Sequence, residues 1–146
     1  MKHLRALVVL GSAIASASCT QPFYVLLDAV DTQGVPTFCL NDRPRCSSKG
    51  YQVGLIDVRE VDDEGEVVDV VWRLASQSGN GELSRVKYGD VPPGWAERAP
   101  AKQLKTSTWY RINSFYYFCR LPDGTISLED RRTFHSRIGS QRRGRD

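Results

Sequence analysis

The sequence is poor in the residues on which metal sites and membrane spans depend. Its 146 residues include two histidines and four cysteines, and the spacing of Cys39 and Cys46 is not a zinc-binding pattern. The N-terminal apolar run Ala6–Ile14 is much shorter than the roughly 20 residues that a membrane-spanning helix requires. We therefore predict no metal site, no cofactor and no transmembrane helix.

Signatures of common catalytic sites are also missing. The sequence contains no G-x-S-x-G, no H-E-x-x-H and no phosphate-binding glycine loop. His135 lies among arginines and away from any nucleophile pattern, which is typical of an exposed histidine. Asp57 and Asp69 belong to an acidic stretch, but a glycosidase pair needs one raised and one ordinary pKa within a cleft. We predict that the protein is not an enzyme.

The N-terminal segment is typical of an export signal. Lys2 and Arg5 precede the apolar core, and small residues then lead to Cys19. The run Ser16-Ala17-Ser18-Cys19 resembles the bacterial lipobox, in which the signal peptide is cut before a cysteine that becomes lipidated. This predicts a lipoprotein signal peptide over residues 1–18 and a lipid anchor on Cys19.

Two details bear on where the mature protein is found. The alternative to lipidation is ordinary cleavage after Ala17, because Ala15-Ser16-Ala17 is itself a small-residue cleavage site. Thr20 follows Cys19, where retention in the inner membrane is associated with aspartate. The prediction is an outer-membrane lipoprotein that faces the periplasm, and the alternative is a soluble periplasmic or secreted protein.

Export to an oxidising compartment makes the cysteines candidates for disulfides. Cys39 is close enough in sequence to Cys46 to close a small loop. A bridge from Cys39 to Cys119 would instead join the two ends of the domain and would constrain the unfolded chain more. The sequence does not decide between the two pairings.

Charge divides the mature chain into two parts. Residues 19–130 carry 12 basic and 16 acidic side chains, whereas residues 131–146 carry six arginines and one aspartate. We predict a tether and first strand over 19–34, one domain over 35–130 and a disordered arginine-rich tail over 131–146. The alternative for the tail is contact with anionic lipid headgroups, and nucleic acid is not an expected partner.

Apolar residues recur with the period of β-strands, and no segment has a long helical stripe. The clearest pair of strands flanks the turn Asp62-Asp63-Glu64-Gly65 and forms a predicted hairpin over 53–74. We expect a bulge at 113–114 and an irregular, proline-rich segment over 89–100. The predicted strands cover residues 23–29, 36–40, 53–61, 66–74, 83–88, 106–112, 115–120 and 125–128.

These patterns predict an all-β fold. About seven short strands separated by turns are typical of an antiparallel β-sandwich, immunoglobulin- or fibronectin-like, that follows the N-terminal signal peptide.

Three surface features are candidates for binding a partner. The tip of the first hairpin is acidic and is either a solvated turn or a docking surface for a basic protein; its residues are Asp62, Asp63, Glu64 and Glu66. Trp95 lies in a proline-rich loop and either anchors an interface or folds back on the core. The run 115–118 is aromatic at every position, so unless both faces of this strand are covered, Tyr116 belongs to an exposed patch.

An ordered series of motifs resembles one family. It consists of Val71-Trp72-Arg73-Leu74, the strand pattern over 83–88, the run Tyr88-Gly89-Asp90-Val91-Pro92-Pro93-Gly94-Trp95, Pro100-Ala101 with Leu104, and Trp109-Tyr110-Arg111-Ile112. The chain is similar over residues 35–125 to the immunity lipoproteins of type VI secretion systems, which are small bacterial periplasmic proteins.

The resemblance implies a function by binding. It suggests a tethered sandwich that neutralises a cognate antibacterial toxin delivered by neighbouring cells, with no catalytic residues. The alternative is a structural lipoprotein that takes part in assembling the cell envelope.

Overall fold

The computed structural model describes residues 23–143, so the predicted signal peptide, Cys19 and the cleavage site after Ala17 lie outside the described residues. The described part is mostly β-structure with one helix, and every pair of its strands is antiparallel. The prediction of an all-β, sandwich-like fold is confirmed. The elements are β1 Tyr24–Val30, β2 Pro36–Asn41, β3 Tyr51–Val53, β4 Leu55–Val61, β5 Val67–Ser76, β6 Gly81–Leu83, β7 Arg85–Lys87, β8 Trp95–Ala99, β9 Trp109–Ile112, β10 Tyr116–Arg120, β11 Ile126–Asp130 and α1 Arg131–Arg143.

The strands form a large sheet, a smaller sheet and a short ribbon. The large sheet has six strands in the order β11-β10-β9-β4-β5-β8, and the smaller has three in the order β1-β2-β7. The ribbon consists of β3 and β6. The predicted hairpin over 53–74 is confirmed as β4 and β5, which lie inside the large sheet rather than at its edge.

The main core lies between the six-stranded and three-stranded sheets. Phe38 of β2 packs against Phe118 of β10 with ring centroids 5.1 Å apart, and Tyr110 of β9 stacks on the same phenylalanine at 5.3 Å. Burial of this apolar surface provides the main driving force for folding. Other fully buried members are Val25, Ile56, Val58, Trp72, Leu74 and Ile112.

The strand count is eleven within residues 23–143, rather than about seven. Two predicted strands are each divided, at Gly54 and at Ser84. A Cβ on Gly54 would lie 2.4 Å from the carbonyl oxygen of Gly79, so the backbone approaches there too closely for any side chain. The segment expected to be irregular also contributes β8, which pairs with the edge of β5.

The disulfide joins Cys39 to Cys46, and Cys119 is a buried free thiol. Asn41 supports the loop that this bridge closes, because its side-chain amide donates to the carbonyl of Arg45 (2.6 Å) and to the hydroxyl of Ser47 (3.0 Å). The structure thus selects the short loop from the two pairings that the sequence left open.

The arginine-rich tail is helical over its described part, so the prediction of disorder is wrong for residues 131–143. Asp130 caps the N-terminus of α1, since its carboxylate accepts a hydrogen bond of 2.8 Å from the amide of Thr133. This bond is the main reason why the pKa of Asp130 is lowered. Among residues 23–143, no helix is both long and apolar enough to cross a bilayer.

The helix covers part of the outer face of the six-stranded sheet. Phe134 stacks on Tyr117 of β10 with ring centroids 3.8 Å apart, and it also meets the edge of Trp109 at 5.2 Å. Arg137 lies over the ring of Trp109 at 4.2 Å and pairs with Glu129 at 3.2 Å. Tertiary packing, rather than a long apolar stripe, therefore stabilises the helix.

Replacing Phe134 with alanine is expected to release the helix from the sheet. The loss of the stacked ring should lower the free energy of unfolding by roughly 3 kcal/mol. Cys119 lies on the same face of β10 as Tyr117, which the helix covers. Release of the helix should therefore expose the thiol of Cys119, so that it reacts with a disulfide reagent under native conditions. Chemical denaturation and thiol titration in a Cys19→Ser background measure the two effects.

Ser136→Ala is the matched control, because Ser136 is exposed on the same helix. It should leave both measurements unchanged. If Cys119 stayed unreactive in the Phe134→Ala variant, the helix would not be what covers this face.

Candidate functional site

The acidic hairpin tip is an ordered turn. The carboxylate of Asp62 accepts hydrogen bonds from the amides of Glu64 (3.0 Å) and Glu66 (2.8 Å), and Gly65 has a φ of +85°. Asp63, Glu64 and Glu66 are exposed. These contacts fit a hairpin turn whose polar side chains are solvated.

The same tip packs against α1. A Cβ built on Gly65 would lie 3.0 Å from the ring of Phe134 and 3.5 Å from that of His135. The acidic tip and the arginine-rich helix of the same chain are therefore neighbours. Docking of a basic partner on the tip stays a prediction, and such a partner would have to approach beside this helix.

Trp95 is not an exposed anchor. It begins β8, is 6% exposed and lies against Gly81, where a Cβ would come within 2.7 Å of the indole ring. Its proposed contact with a partner is therefore wrong, and the alternative, that Trp95 folds back to cover the edge of the core, is correct. The proline-rich segment brings the indole ring inward because β8 pairs with β5.

Tyr88, the first residue of the tyrosine-glycine motif, also has a structural role. Its hydroxyl donates to the carbonyl of Lys102 at 2.7 Å, and the carbonyl of Val71 is a second, more distant acceptor at 3.2 Å. Its ring packs on that of Trp72, with ring centroids 5.1 Å apart. Burial raises the pKa of this hydroxyl well above its ordinary value. The motif thus fastens the segment after β8 to the core.

The aromatic run 115–118 is covered on both faces, with one exception. Phe118 belongs to the main core and Tyr117 lies under α1. Tyr116, proposed as a partner contact, is half-buried and packs against the main core, and its contact with a partner stays a prediction. The exposed aromatic of the run is Phe115, at 54%.

The connection between β9 and β10 determines where Phe115 lies. Asn113 and Ser114 both have left-handed backbones, with φ of +47° and +64°, so the chain reverses in a tight hairpin rather than continuing through the predicted bulge. Asparagine is among the residues that tolerate this conformation best.

The side chain of Asn113 joins this turn to β4. Its carbonyl oxygen accepts from the amide of Asp57 at 2.7 Å, its amide donates to the carbonyl of Leu55 at 2.9 Å, and its own backbone amide donates to the carbonyl of Asp57 at 2.9 Å. Three hydrogen bonds thus fix the position of the turn, and Phe115 with it, relative to the beginning of β4.

A groove of about 640 Å³ lies beside this turn. Its apolar part includes Phe115 and Leu55, which is 43% exposed, together with Phe23 and Tyr51, whose rings are 4.9 Å apart. Its polar part includes Asp57 and Arg59. We call this site the Phe115 groove. Apolar side chains with a polar margin are typical of sites that bind protein segments.

An arginine-carboxylate cluster forms the polar side of the groove. Asp57 is buried, and its two oxygens accept from the Nε atoms of Arg59 (2.5 Å) and Arg73 (2.9 Å). Arg111 stands opposite Arg59 in the pairing of β4 with β9, and directly paired residues project from the same face of a sheet. Two arginines therefore pair with one carboxylate on the outer face of the large sheet, and a third, Arg111, lies beside Arg59.

Asp57 and Asp69 have different surroundings: Asp57 lines the Phe115 groove, whereas Asp69 does not. Asp69 pairs instead with Lys102 at 2.6 Å, and this hydrogen bond is the main reason why its pKa is lowered. Each of the two carboxylates therefore has its own cationic partner.

One further cluster resembles a set of metal ligands. Asp28, Cys39 and Cys46 place their ligand atoms within 4.8 Å of one another. The two sulfurs form a disulfide and Asp28 pairs with Arg85 at 2.8 Å, so these atoms do not suit a cation in this oxidised form.

Sequence reasoning missed both the groove and its arginines. The turn beside the groove could have been predicted from the pair Asn113-Ser114 between two predicted strands, because these residues are compatible with a left-handed turn. The arginines gave no such signal, because Arg59, Arg73 and Arg111 belong to three strands and meet only through the strand register.

Comparison with known proteins adds no relative: no family model, curated protein or solved structure matches this chain at a significant level.

Replacing Tyr88 with phenylalanine is expected to lower the free energy of unfolding by about 1–3 kcal/mol, because the carbonyl of Lys102 loses its donor. Urea denaturation measures the loss. Tyr24→Phe is the control, since no hydrogen bond of the Tyr24 hydroxyl is present among the described residues. Equal stability of the two variants would contradict the structural role of Tyr88.

Replacing Asn113 with glycine keeps the left-handed backbone but removes the amide that joins the turn to β4. We expect a loss of about 1–3 kcal/mol in the free energy of unfolding. Ser114→Gly is the matched control in the same turn and should be neutral or slightly stabilising, because glycine favours a φ of this sign. A comparable loss in both variants would mean that the side chain of Asn113 does not hold the turn.

Proposed function

We propose that this protein is an exported, non-catalytic lipoprotein that neutralises an antibacterial toxin by binding it, as secretion-system immunity proteins do. The observation that carries the proposal is the Phe115 groove, where Phe115 and Leu55 stay exposed although the chain has a well-filled core. Exposed apolar side chains grouped at one place and bordered by polar groups favour a protein interaction.

The groove suits tight binding because its parts are held in place before a partner arrives. Asn113 fixes the turn through three hydrogen bonds, and Asp57 holds the side chain of Arg59 at the margin of the groove. A preorganised surface loses little conformational entropy when it docks, so more of the contact energy contributes to affinity. Stoichiometric inhibition of a toxin requires such affinity.

Three further observations agree with a periplasmic immunity lipoprotein. The N-terminal segment is typical of a lipoprotein signal, and the motifs over 35–125 resemble the immunity family. The disulfide between Cys39 and Cys46 suits an oxidising compartment. The alternative is a structural lipoprotein of the cell envelope, which would use the same groove to join an assembly.

The first experiment is a binding and protection assay with the product of the adjacent gene. The protein, produced with its own export signal, should form a tight one-to-one complex with that product and abolish its toxicity in the periplasm. If it formed no such complex and instead purified with envelope assembly proteins, immunity would be wrong and the structural alternative would replace it.

Replacing Phe115 with serine is expected to weaken toxin binding by about 30-fold, the loss typical of an aromatic anchor. Calorimetry on the purified complex measures the affinity. The control is Leu121→Ser, because Leu121 is also exposed (37%) but does not line the groove, and it should change the affinity less than about twofold. Equal effects of the two substitutions would place the interface elsewhere.

A further inference from the structure

The arginine-carboxylate cluster has more positive charge than its structural role requires. Arg59 and Arg73 use their Nε atoms to neutralise Asp57, and their side chains remain 33% and 32% exposed. One carboxylate faces two guanidinium groups, so the trio carries one net positive charge, and two of its members, Asp57 and Arg59, line the Phe115 groove.

Arg111 adds a second positive charge. It is half-buried, and no hydrogen bond or ion pair joins its side chain to another residue within 23–143. Arg111 lies between Arg59 on β4 and Tyr117 on β10, so its stem is held between neighbours on the face of the sheet. A guanidinium in this position is ready to donate to an incoming acceptor.

We propose that Arg111, together with Arg59, binds an acidic side chain of the partner protein while Phe115 and Leu55 hold an adjacent apolar side chain. The partner segment would thus present an aspartate or glutamate next to an apolar residue. This inference rests on the proposed binding function and adds the chemistry of the contacting segment.

A protein carboxylate fits the site better than other anions do. The cluster is compact, contains a carboxylate of its own and borders an apolar groove, whereas a nucleic acid is bound by dispersed cations that follow its phosphates. Guanidinium groups pair with carboxylates in a planar, bidentate geometry, which favours a single carboxylate side chain in a defined position. The groove beside them supplies the apolar contact that free inorganic anions cannot use.

The test uses two synthetic peptides that differ in one charge. The probes are acetyl-Ser-Leu-Glu-Leu-Ser-amide and its glutamine counterpart, titrated into the ¹⁵N-labelled protein while the Nε resonances of its arginines are recorded. The glutamate peptide should shift the signals of Arg111 and Arg59 and bind about fivefold more tightly than the glutamine peptide.

Substitutions assign the preference to Arg111. In Arg111→Gln the preference for glutamate should fall below about twofold, and Arg111→Lys should restore part of it because the charge is kept. Arg98→Gln is the control: Arg98 is exposed on β8, has no partner among the described residues and lies outside the groove. It should leave the preference unchanged, and unfolding curves verify that the variants are folded.

Three results would overturn the proposal. Equal binding of the two peptides would make the groove purely apolar, and absence of binding by both would mean that no such segment is recognised. Identical shifts with inorganic phosphate alone, without help from the apolar side chains, would reduce the cluster to a general anion site.

The experiments distinguish failure of the carboxylate contact from failure of the immunity function. A protein that prefers the glutamate peptide but gives no protection against the toxin would retain the inferred chemistry and lose immunity as its function. A protein that protects against the toxin, with an affinity sensitive to Phe115→Ser but not to Arg111→Gln, would retain immunity and lose the inferred carboxylate contact.

Discussion

The rest of the structure depends on how the outer face of the six-stranded sheet is covered. The three-stranded sheet buries only the inner face, through contacts such as Phe38 with Phe118. Part of the outer face is covered by α1, where Phe134 stacks on Tyr117 and Arg137 lies over Trp109. The helix and the sheet therefore stabilise each other, because each would expose apolar side chains to water without the other.

The uncovered remainder of that face is where the candidate site lies. Beyond the helix the sheet presents a charged cluster, with Asp57 between Arg59 and Arg73 and with Arg111 beside Arg59. A buried carboxylate needs such partners to offset its desolvation. Arg59 also lines the Phe115 groove, so a side chain that stabilises the buried carboxylate also gives the groove a positively charged margin. The exposed Leu55 and Phe115 lie next to Asp57 and Arg59 in the groove.

Much of the fold was predictable because strand period and turn chemistry are local properties. The hairpin over 53–74 followed from alternating residues around a turn that ends in Gly65. The errors arose where distant segments meet. Trp95 was predicted as a possible interface anchor, but the pairing of β8 with β5 leaves it buried. The helix was missed because its apolar face rests mainly on Phe134 and Ile138, too few residues for a recognisable stripe.

The sequence by itself determined the all-β class and the main turns, because side-chain alternation and left-handed turn residues act over a few neighbouring positions. It also predicted export from the N-terminal segment, and the resemblance of its motifs to an immunity family stays a prediction. Only the tertiary structure decided the pairing of Cys39 with Cys46, the docking of α1 and the grouping of Phe115, Asp57 and Arg59 in one groove. These features depend on strand register and on contacts between residues far apart in the chain, which no local pattern specifies.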